Sequence, residues 1–116
     1  MRKIYFLSSC STCKRIIDEL QLAQKGFDFQ DIKEHLITAA QLEAMKEKAG
    51  SYEALFSRVA MKYRSMKLNE RQLAEQDYKD LILQEYTFLK RPVILLEDQI
   101  FIGNAKSTVE AVKAML

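Results

Sequence analysis

Residues 5–14 read Tyr-Phe-Leu-Ser-Ser-Cys-Ser-Thr-Cys-Lys and place a short apolar strand directly before a Cys-x-x-Cys motif. The apolar spacing of a helix follows at once, over residues 16–20. Both cysteines of the chain, Cys10 and Cys13, belong to this motif. A cysteine pair between a strand and a helix is typical of a redox-active dithiol. The stretch therefore predicts an α/β fold with thiol chemistry at the start of its first helix.

The predicted helix start gives the two cysteines different roles. If the helix begins at Ser11 or Thr12, its unbonded backbone N–H groups and the positive end of its dipole face the sulfur of Cys10. A thiolate, which is the nucleophilic form, is favoured there. Lys14 adds positive charge within one turn. We predict that Cys10 is the nucleophile and that Cys13, one turn further on, resolves a mixed disulfide formed at Cys10.

Three other uses of the cysteine pair are open. Zinc needs four ligands, and the single histidine, His35, has no ligand spacing to the two cysteines. A structural disulfide would close a very small loop and would add little stability. Inert buried thiols are the main alternative, because free cysteine is often buried. The position between strand and helix favours the redox interpretation, and no metal is expected.

The composition is that of one globular domain. The chain has 116 residues, 48% hydrophobic and 29% charged, which suits a soluble protein with a single core. A net charge of +2 is too small to indicate nucleic acid or an anionic membrane as partner. The apolar run near the N-terminus is only four residues long, over 4–7, too short for a signal peptide. We expect a cytoplasmic monomer.

The first third of the chain predicts a strand–helix–strand unit. Residues 3–7 form a strand, residues 12–25 a helix ended by Gly26, and residues 27–32 a second strand. A unit of this size implies that its two strands are parallel.

Residues 38–88 predict helices alone. Thr38–Gln41 has the pattern of a capping box, Gly50 suits a helix end, and Asn69–Gln72 suits another helix start. Residues 58–71 carry five basic side chains against one acidic side chain. Such a run is usually a solvated face, and an anion site or a surface for an acidic partner is the alternative.

The last quarter of the chain predicts a hairpin and a helix. Residues 93–96 are a continuous apolar run that suits a central strand, and residues 100–102 are the return strand. Ser107–Glu110 has the pattern of a capping box that opens the last helix. The fold class is therefore α/β, with a mixed four-stranded sheet built from β–α–β and then β–β–α halves.

This order of elements resembles the thioredoxin-like fold and, more narrowly, the arsenate reductase (ArsC) family, whose relatives include the Spx regulators and YffB-like proteins. Three stretches carry the resemblance: residues 5–14, residues 55–64 (Leu-Phe-Ser-Arg, then Lys-Tyr-Arg after three residues), and residues 89–94 followed by Gly103. The resemblance implies one domain over residues 1–116, with a helical insert at about 38–88.

The resemblance also implies residue roles. Cys10 would attack an oxyanion or a disulfide sulfur, and Arg58 and Arg91 would hold an anionic substrate or a carboxylate of glutathione, since guanidinium groups match oxyanions. Lys14 stands where the family often has an arginine. A cis peptide bond is implied before Pro92. No bound cofactor is expected, and glutathione, glutaredoxin or thioredoxin would supply electrons.

Two departures separate the chain from its relatives. Glutaredoxin-dependent arsenate reductases resemble it but use a third arginine, at a position where residues 102–104 here read Ile-Gly-Asn. They lack the second cysteine of the motif, so Cys13 makes the chain more similar to Spx. Spx proteins contact RNA polymerase through a surface that includes a glycine eight residues before the insert's arginine, and Gly50 stands eight before Arg58.

The leading hypothesis is a cytoplasmic thiol oxidoreductase, an arsenate reductase or a related reductase linked to glutathione or glutaredoxin. The alternative is a redox-sensing transcriptional regulator similar to Spx, which contacts RNA polymerase and uses the cysteine pair as its switch. A third hypothesis is the same fold without retained chemistry. A small anionic substrate or a disulfide/thiol partner is expected under the first, with no direct nucleic-acid contact and no membrane.

Overall fold

The computed structural model describes all 116 residues, as two compact units made of residues 1–36 with 91–116 and of residues 37–90. The strands and helices, in chain order, are β1 (Arg2–Phe6), α1 (Ser11–Leu20), β2 (Asp28–Asp31), α2 (Ala39–Ala49), α3 (Met61–Ser65), α4 (Glu75–Gln84), β3 (Val93–Leu96), β4 (Gln99–Ile102) and α5 (Lys106–Met115). No helix combines the length and the apolar character that crossing a membrane requires.

The first unit contains one mixed sheet in the order β2-β1-β3-β4. β1 pairs parallel to β2, with Ile4 opposite Phe29, and antiparallel to β3, with Ile4 opposite Ile94. β3 and β4 form the predicted antiparallel hairpin. The mixed four-stranded sheet and its β–α–β and β–β–α halves are confirmed.

The core of the first unit is built on the two middle strands. All four residues of β3 are buried, as expected for a continuous apolar strand with a neighbour on each side. One cluster joins the sheet to both flanking helices through Ile4, Ile16, Leu20, Leu22, Ile94, Leu96 and Val112. Each such side chain contributes on the order of 1.5–3 kcal/mol by leaving water. This packing fixes the start of α1 against the sheet.

The first helix is shorter than predicted. It ends at Leu20, because Gln21 adopts a left-handed conformation (φ 54°) and its N–H bonds back to the carbonyl oxygens of Asp18 and Ile17. A 3-10 turn at Leu22–Gln24 follows. The prediction of one helix over residues 12–25 was wrong because the reversal brings Leu22 into the core, where it is fully buried.

The start and the end of α2 agree with the sequence. The Gln41 N–H donates to Thr38 Oγ1 at 3.0 Å, and the Thr38 N–H donates to Gln41 Oε1 at 3.1 Å, so the capping box is complete. Gly50 ends the helix with φ 96°, a conformation in which a side chain would be strained. Both predictions are confirmed.

The predicted helix start at Asn69 was wrong. Residues 68–70 form only a 3-10 turn, because the chain is bent there to bury Leu68. The helix begins after Ala74, whose N–H donates to Asp77 Oδ2 at 2.8 Å. The start of the helix is therefore capped by the carboxylate of Asp77, and the predicted pair Asn69 and Gln72 does not cap it.

The last helix, in contrast, begins earlier than predicted. α5 starts at Lys106 after an extended Ala105 that offers no side-chain acceptor, so Ser107–Glu110 lies inside the helix and is not a capping box. The position of the helix is set by packing, because it places Val112 in the core with no exposed surface.

Aromatic rings form the centre of the second unit. Phe56 is fully buried and stacks on Phe88 at 5.0 Å, with Tyr78 at 4.9 Å and Tyr63 at 6.1 Å between ring centroids. The Ser57 N–H donates to the Phe88 carbonyl at 2.7 Å, which joins the two segments that carry these rings. Each aromatic contact adds roughly 0.5–1.5 kcal/mol beyond burial.

Candidate active site

A tight turn delivers Cys10 to the start of α1. β1 ends at Phe6, Leu7 is buried, and the Cys10 N–H donates to the Leu7 carbonyl at 2.9 Å across residues 8–9. Cys10 is the N-cap residue, with extended backbone angles (φ −91°, ψ 111°). The helix start was predicted at Ser11 or Thr12, and the structure places it at Ser11. The Cys10 side chain occupies the place where a helix usually has an oxygen acceptor.

The Cys10 thiol is activated by its surroundings. Partial burial raises the pKa of Cys10, but hydrogen bonds from the Cys13 N–H, the Cys13 thiol and the Thr12 N–H, together with the charge of Arg91, outweigh it. The pKa of Cys10 is therefore lowered from its ordinary value. This is the effect that the N–H groups of a helix start have on a thiolate.

Cys13 has the opposite environment. Its side chain has no exposed surface, and burial raises the pKa of Cys13 to about 11, with further raising by the hydrogen bond to Cys10 and by the charge of Cys10. The Leu7 backbone and Arg91 counteract only part of this. Both cysteines are free thiols in the structure. The pair thus combines one activated sulfur with one protonated neighbour.

Sheet pairing explains how Arg91 reaches the cysteines. Tyr5 pairs with Val93 in the antiparallel β1–β3 ladder. The chain that leaves β1 and the chain that enters β3 therefore lie at the same end of the sheet. The Arg91–Pro92 peptide bond is cis, which confirms the prediction. The structure brings the charge of Arg91 close enough to lower the pKa of both cysteines.

Two of the predicted supporting residues of α1, Thr12 and Lys14, contribute through the backbone. The Thr12 N–H lowers the pKa of Cys10, and the Lys14 N–H donates to the Cys10 carbonyl at 3.2 Å. The side chains of Ser11 and Lys14 are exposed. A role for these two side chains in holding substrate stays a prediction.

Arg58 lies in the second unit and has strong contacts there. Its Nη2 donates to Glu53 Oε2 and to the Tyr78 hydroxyl, both at 2.8 Å, and its guanidinium lies 5.6 Å from the centroid of the Tyr78 ring. These contacts give Arg58 a structural role within that unit. Its predicted role toward an anionic substrate stays a prediction.

Sequence reasoning missed Asp31, the last residue of β2. Its carboxylate accepts hydrogen bonds from the Ser8 and Lys33 backbone N–H groups, so it reaches the turn that precedes Cys10. Its position could have indicated this contact, because Asp31 ends the strand that runs parallel to β1 and so lies near the turn after β1.

No group of three or more His, Cys, Asp or Glu side chains lies together as a metal-binding cluster. His35 is exposed, and its backbone carbonyl accepts from the Gln30 side chain at 2.9 Å.

A mixed four-stranded sheet, flanked by helices and with a cysteine pair at the start of the first helix, places the chain among α/β proteins with a thioredoxin-like fold. The sequence profile of the ArsC family matches residues 5–112, and the chain therefore belongs to the ArsC family. No curated protein sequence gives a significant match.

Solved structures of similar shape agree with this assignment. The chain is similar to a YffB protein, with 23% identity, a TM-score of 0.78 and coverage of 96% of this chain and 97% of that one. It is also similar to an arsenate reductase from Vibrio cholerae (16% identity, TM-score 0.79, coverage 99% and 97%). A possible arsenate reductase from Streptococcus mutans UA159 gives 25% identity, a TM-score of 0.76 and coverage of 97% of each chain. These neighbours share the fold of this chain over nearly its whole length, in agreement with its place in the ArsC family.

Proposed function

We propose that this protein is a cytoplasmic thiol-dependent reductase that uses Cys10 as its nucleophile, with arsenate or a related oxyanion, or a mixed disulfide, as substrate. The observation that carries the proposal is the lowered pKa of Cys10 at the N-cap of α1. A lowered pKa increases the fraction of Cys10 that is thiolate at neutral pH, and the thiolate is the attacking species.

With arsenate as substrate, the Cys10 thiolate attacks arsenic(V) and displaces one oxygen, which leaves as water after protonation. A sulfur–arsenic bond forms. Arg91 is the cation close to the attacking sulfur. Its guanidinium suits the oxygens of a tetrahedral oxyanion, both in charge and in the spacing of its donors.

In the second step a thiolate attacks the sulfur of Cys10. The new S–S bond forms as the S–As bond breaks, and the electron pair of that bond goes to arsenic, which leaves as arsenic(III). Two thiols lose two electrons, and arsenic gains two. With a mixed disulfide the same two displacements occur at sulfur, and two thiols are released.

Cys13 is suited to the second step because the first step activates it. Both the hydrogen bond to Cys10 and the charge of Cys10 raise the pKa of Cys13. Once the sulfur of Cys10 is covalently bound, it no longer carries that negative charge. The pKa of Cys13 then falls, and its thiolate attacks Cys10 to form the Cys10–Cys13 disulfide. Glutathione, glutaredoxin or thioredoxin returns two electrons to this disulfide, and the cytoplasm supplies such reductants.

The test measures substrate-dependent NADPH consumption with glutathione, glutaredoxin and glutathione reductase present. Arsenate and hydroxyethyl disulfide are supplied in separate assays, and Cys10→Ser is compared with wild type. We expect turnover of one substrate by wild type and none by Cys10→Ser. Absence of turnover with both substrates would contradict the reductase proposal.

The redox-regulator alternative uses the same Cys10–Cys13 disulfide as a switch. The glycine that suggested it, Gly50, is required by the left-handed end of α2 and so gives that alternative no separate support. The two are separated by a pull-down with reduced and oxidised protein. Capture of RNA polymerase in only one redox state, without turnover, would favour the regulator.

A further inference from the structure

We propose that Asp31 is a positioning residue for the nucleophile, holding the turn that presents Cys10 at the start of α1. The inference rests on the proposed function and extends it to a residue outside the Cys-x-x-Cys motif. Asp31 does not touch the reacting sulfur, and it acts through the backbone of residues 8–10.

Strand pairing places Asp31 beside this turn. β1 and β2 are parallel, with Phe6 opposite Asp31, so both strands end at the same edge of the sheet. The Ile32 N–H donates to the Phe6 carbonyl at 2.9 Å and extends the ladder by one bond. The chain after β1 and the chain after β2 therefore leave the sheet side by side.

One carboxylate oxygen joins the two departing chains. Asp31 Oδ1 accepts from the Ser8 N–H at 3.4 Å and from the Lys33 N–H at 3.2 Å. The Ser8 hydroxyl is a further hydrogen-bond partner of this carboxylate. The turn itself is closed by a different bond, from the Cys10 N–H to Leu7. Asp31 thus fixes where the turn lies, and the bond to Leu7 fixes its shape.

The hydrogen bonds from Ser8 and Lys33 to the Asp31 carboxylate, here called the tether, have a charged acceptor. Partial burial raises the pKa of Asp31, but the hydrogen bonds from Ser8 and Lys33 and the charge of Lys33 outweigh it, so the pKa of this carboxyl is lowered. Asp31 is consequently ionised at neutral pH. Hydrogen bonds to an ionised acceptor are about twice as strong as neutral ones.

The position of the turn matters for the thiol because the N–H donors that lower the pKa of Cys10 must point at its sulfur. The groups that lower it are the N–H groups of Thr12 and Cys13, the Cys13 thiol and the charge of Arg91. The two N–H donors must point at a sulfur held at the N-cap. If Ser8 is released, the turn can shift and the sulfur loses this alignment.

The experiment measures the rate of Cys10 alkylation by iodoacetamide from pH 5 to pH 10, with the Cys10 peptide quantified by mass spectrometry. Asp31→Ala removes the acceptor, whereas Asp31→Asn keeps an oxygen in its place. The matched control is Asp28→Asn, which removes an exposed carboxylate at the other end of β2.

In Asp31→Ala we expect the pH midpoint of alkylation to rise by about 0.5–1 unit, which lowers the rate at acidic pH roughly three- to tenfold. The midpoint should shift less in Asp31→Asn, and in Asp28→Asn it should equal that of wild type. Ser8→Ala keeps the backbone donor and loses the hydroxyl, so a small upward shift is expected. Ser8→Ala replaces Asp31→Ala in the comparison if Asp31→Ala does not fold.

An unchanged alkylation midpoint in folded Asp31→Ala would overturn the inference, and so would an unchanged midpoint in Ser8→Ala if that variant stands in. Hydrogen exchange of the Ser8 and Cys10 amides gives a second readout that needs no substrate. Loss of their protection in Asp31→Ala supports the tether even if wild type turns over neither substrate. Failure of the positioning role and failure of the proposed reductase activity are thereby separate results.

Discussion

The lowered pKa of Cys10 has a few short-range causes. The helix N–H groups come from its own motif, and the sequence alone predicts them from the strand that precedes and the helix that follows. The charge of Arg91 comes from a residue far along the chain, and no local pattern indicates it. The expectation that Arg91 lies near Cys10 came from family resemblance, and the antiparallel β1–β3 pair supplies the physical cause.

Replacing Arg91 separates these two contributions. In Arg91→Gln we expect the pKa of Cys10 to rise, because the charge that lowers it is removed, while the helix donors remain. Arg91→Lys should restore most of the effect on the pKa. The measurement is the pH profile of Cys10 alkylation at low and at high salt, with Lys113→Gln on α5 as the control for net charge. Identical profiles for Arg91→Gln and wild type would contradict the prediction.

Cys13 acts on Cys10 as a hydrogen-bond donor. In Cys13→Ala the donor is lost, so we expect the pKa of Cys10 to rise, and in Cys13→Ser the hydroxyl should retain part of the effect. Below pH 9 wild-type Cys13 should resist alkylation, since its pKa is about 11. The alkylation rates of Cys10 and Cys13 are measured separately, each on its own peptide by mass spectrometry. Equal labelling of the two cysteines at pH 7 would contradict this assignment.

Helix boundaries show where local patterns succeed and fail. The boundaries of α2 follow from local chemistry, a capping box at Thr38 and a left-handed glycine at residue 50. The starts of α4 and α5 have no capping side chain at the N-cap, because Ala74 and Ala105 occupy those positions and neither side chain can accept a hydrogen bond. At α4 the Ala74 N–H donates instead to Asp77 Oδ2, and at α5 the packing of Val112 sets the position of the helix. Sequence reasoning placed them wrongly because it looked for capping side chains.

An alanine at an N-cap position leaves room for stabilisation. Ala74→Ser should raise the free energy of unfolding by about 0.5–2 kcal/mol, because its hydroxyl can accept an N–H of the first turn of α4. Ala105→Ser should do the same for α5. Thr38→Ala is the opposite change and should lower the free energy by about the same amount. Urea denaturation of the three variants checks the signs, and a loss of stability in Ala74→Ser would contradict the assigned start of α4.

The two compact units differ in what holds each together. The first is a sheet whose helices cover an aliphatic cluster, whereas the second has an aromatic centre around Phe56 and several short helical segments. The second unit also uses ion pairs at its surface. Lys62 Nζ lies 2.7 Å from Glu85 Oε2, and this contact together with the Thr87 hydroxyl lowers the pKa of Glu85.

That ion pair makes stability depend on pH in a known direction. The pKa of Glu85 is lower in the folded protein than in the unfolded chain. The ionised carboxylate therefore stabilises the fold above the unfolded value of about 4.3, and the contribution is lost as the pH falls through the folded value. Glu85→Gln should lower the free energy of unfolding by up to about 1 kcal/mol at pH 7, a typical limit for an ion pair at the surface. Near pH 2 the substitution should not change it.

Urea denaturation of wild type and Glu85→Gln at pH 7 and pH 2 measures this difference. Asp80→Asn, at an exposed position in α4 of the same unit, is the control for removal of one negative charge. A gap between Glu85→Gln and wild type that persists at pH 2 would show that the ion pair is not its cause.

The order of strands and helices, the mixed sheet and the place of the cysteine pair at a helix start can all be predicted from the sequence. These follow from periodicity and from contacts between residues a few positions apart, which a linear pattern contains. Only the tertiary structure shows that α1 ends at Gln21, that packing sets the start of α5, and that Asp31 reaches Ser8 across 23 positions. Such contacts depend on which strands become neighbours and in what register. That choice is made by burial of the whole core, and no short stretch of residues specifies it.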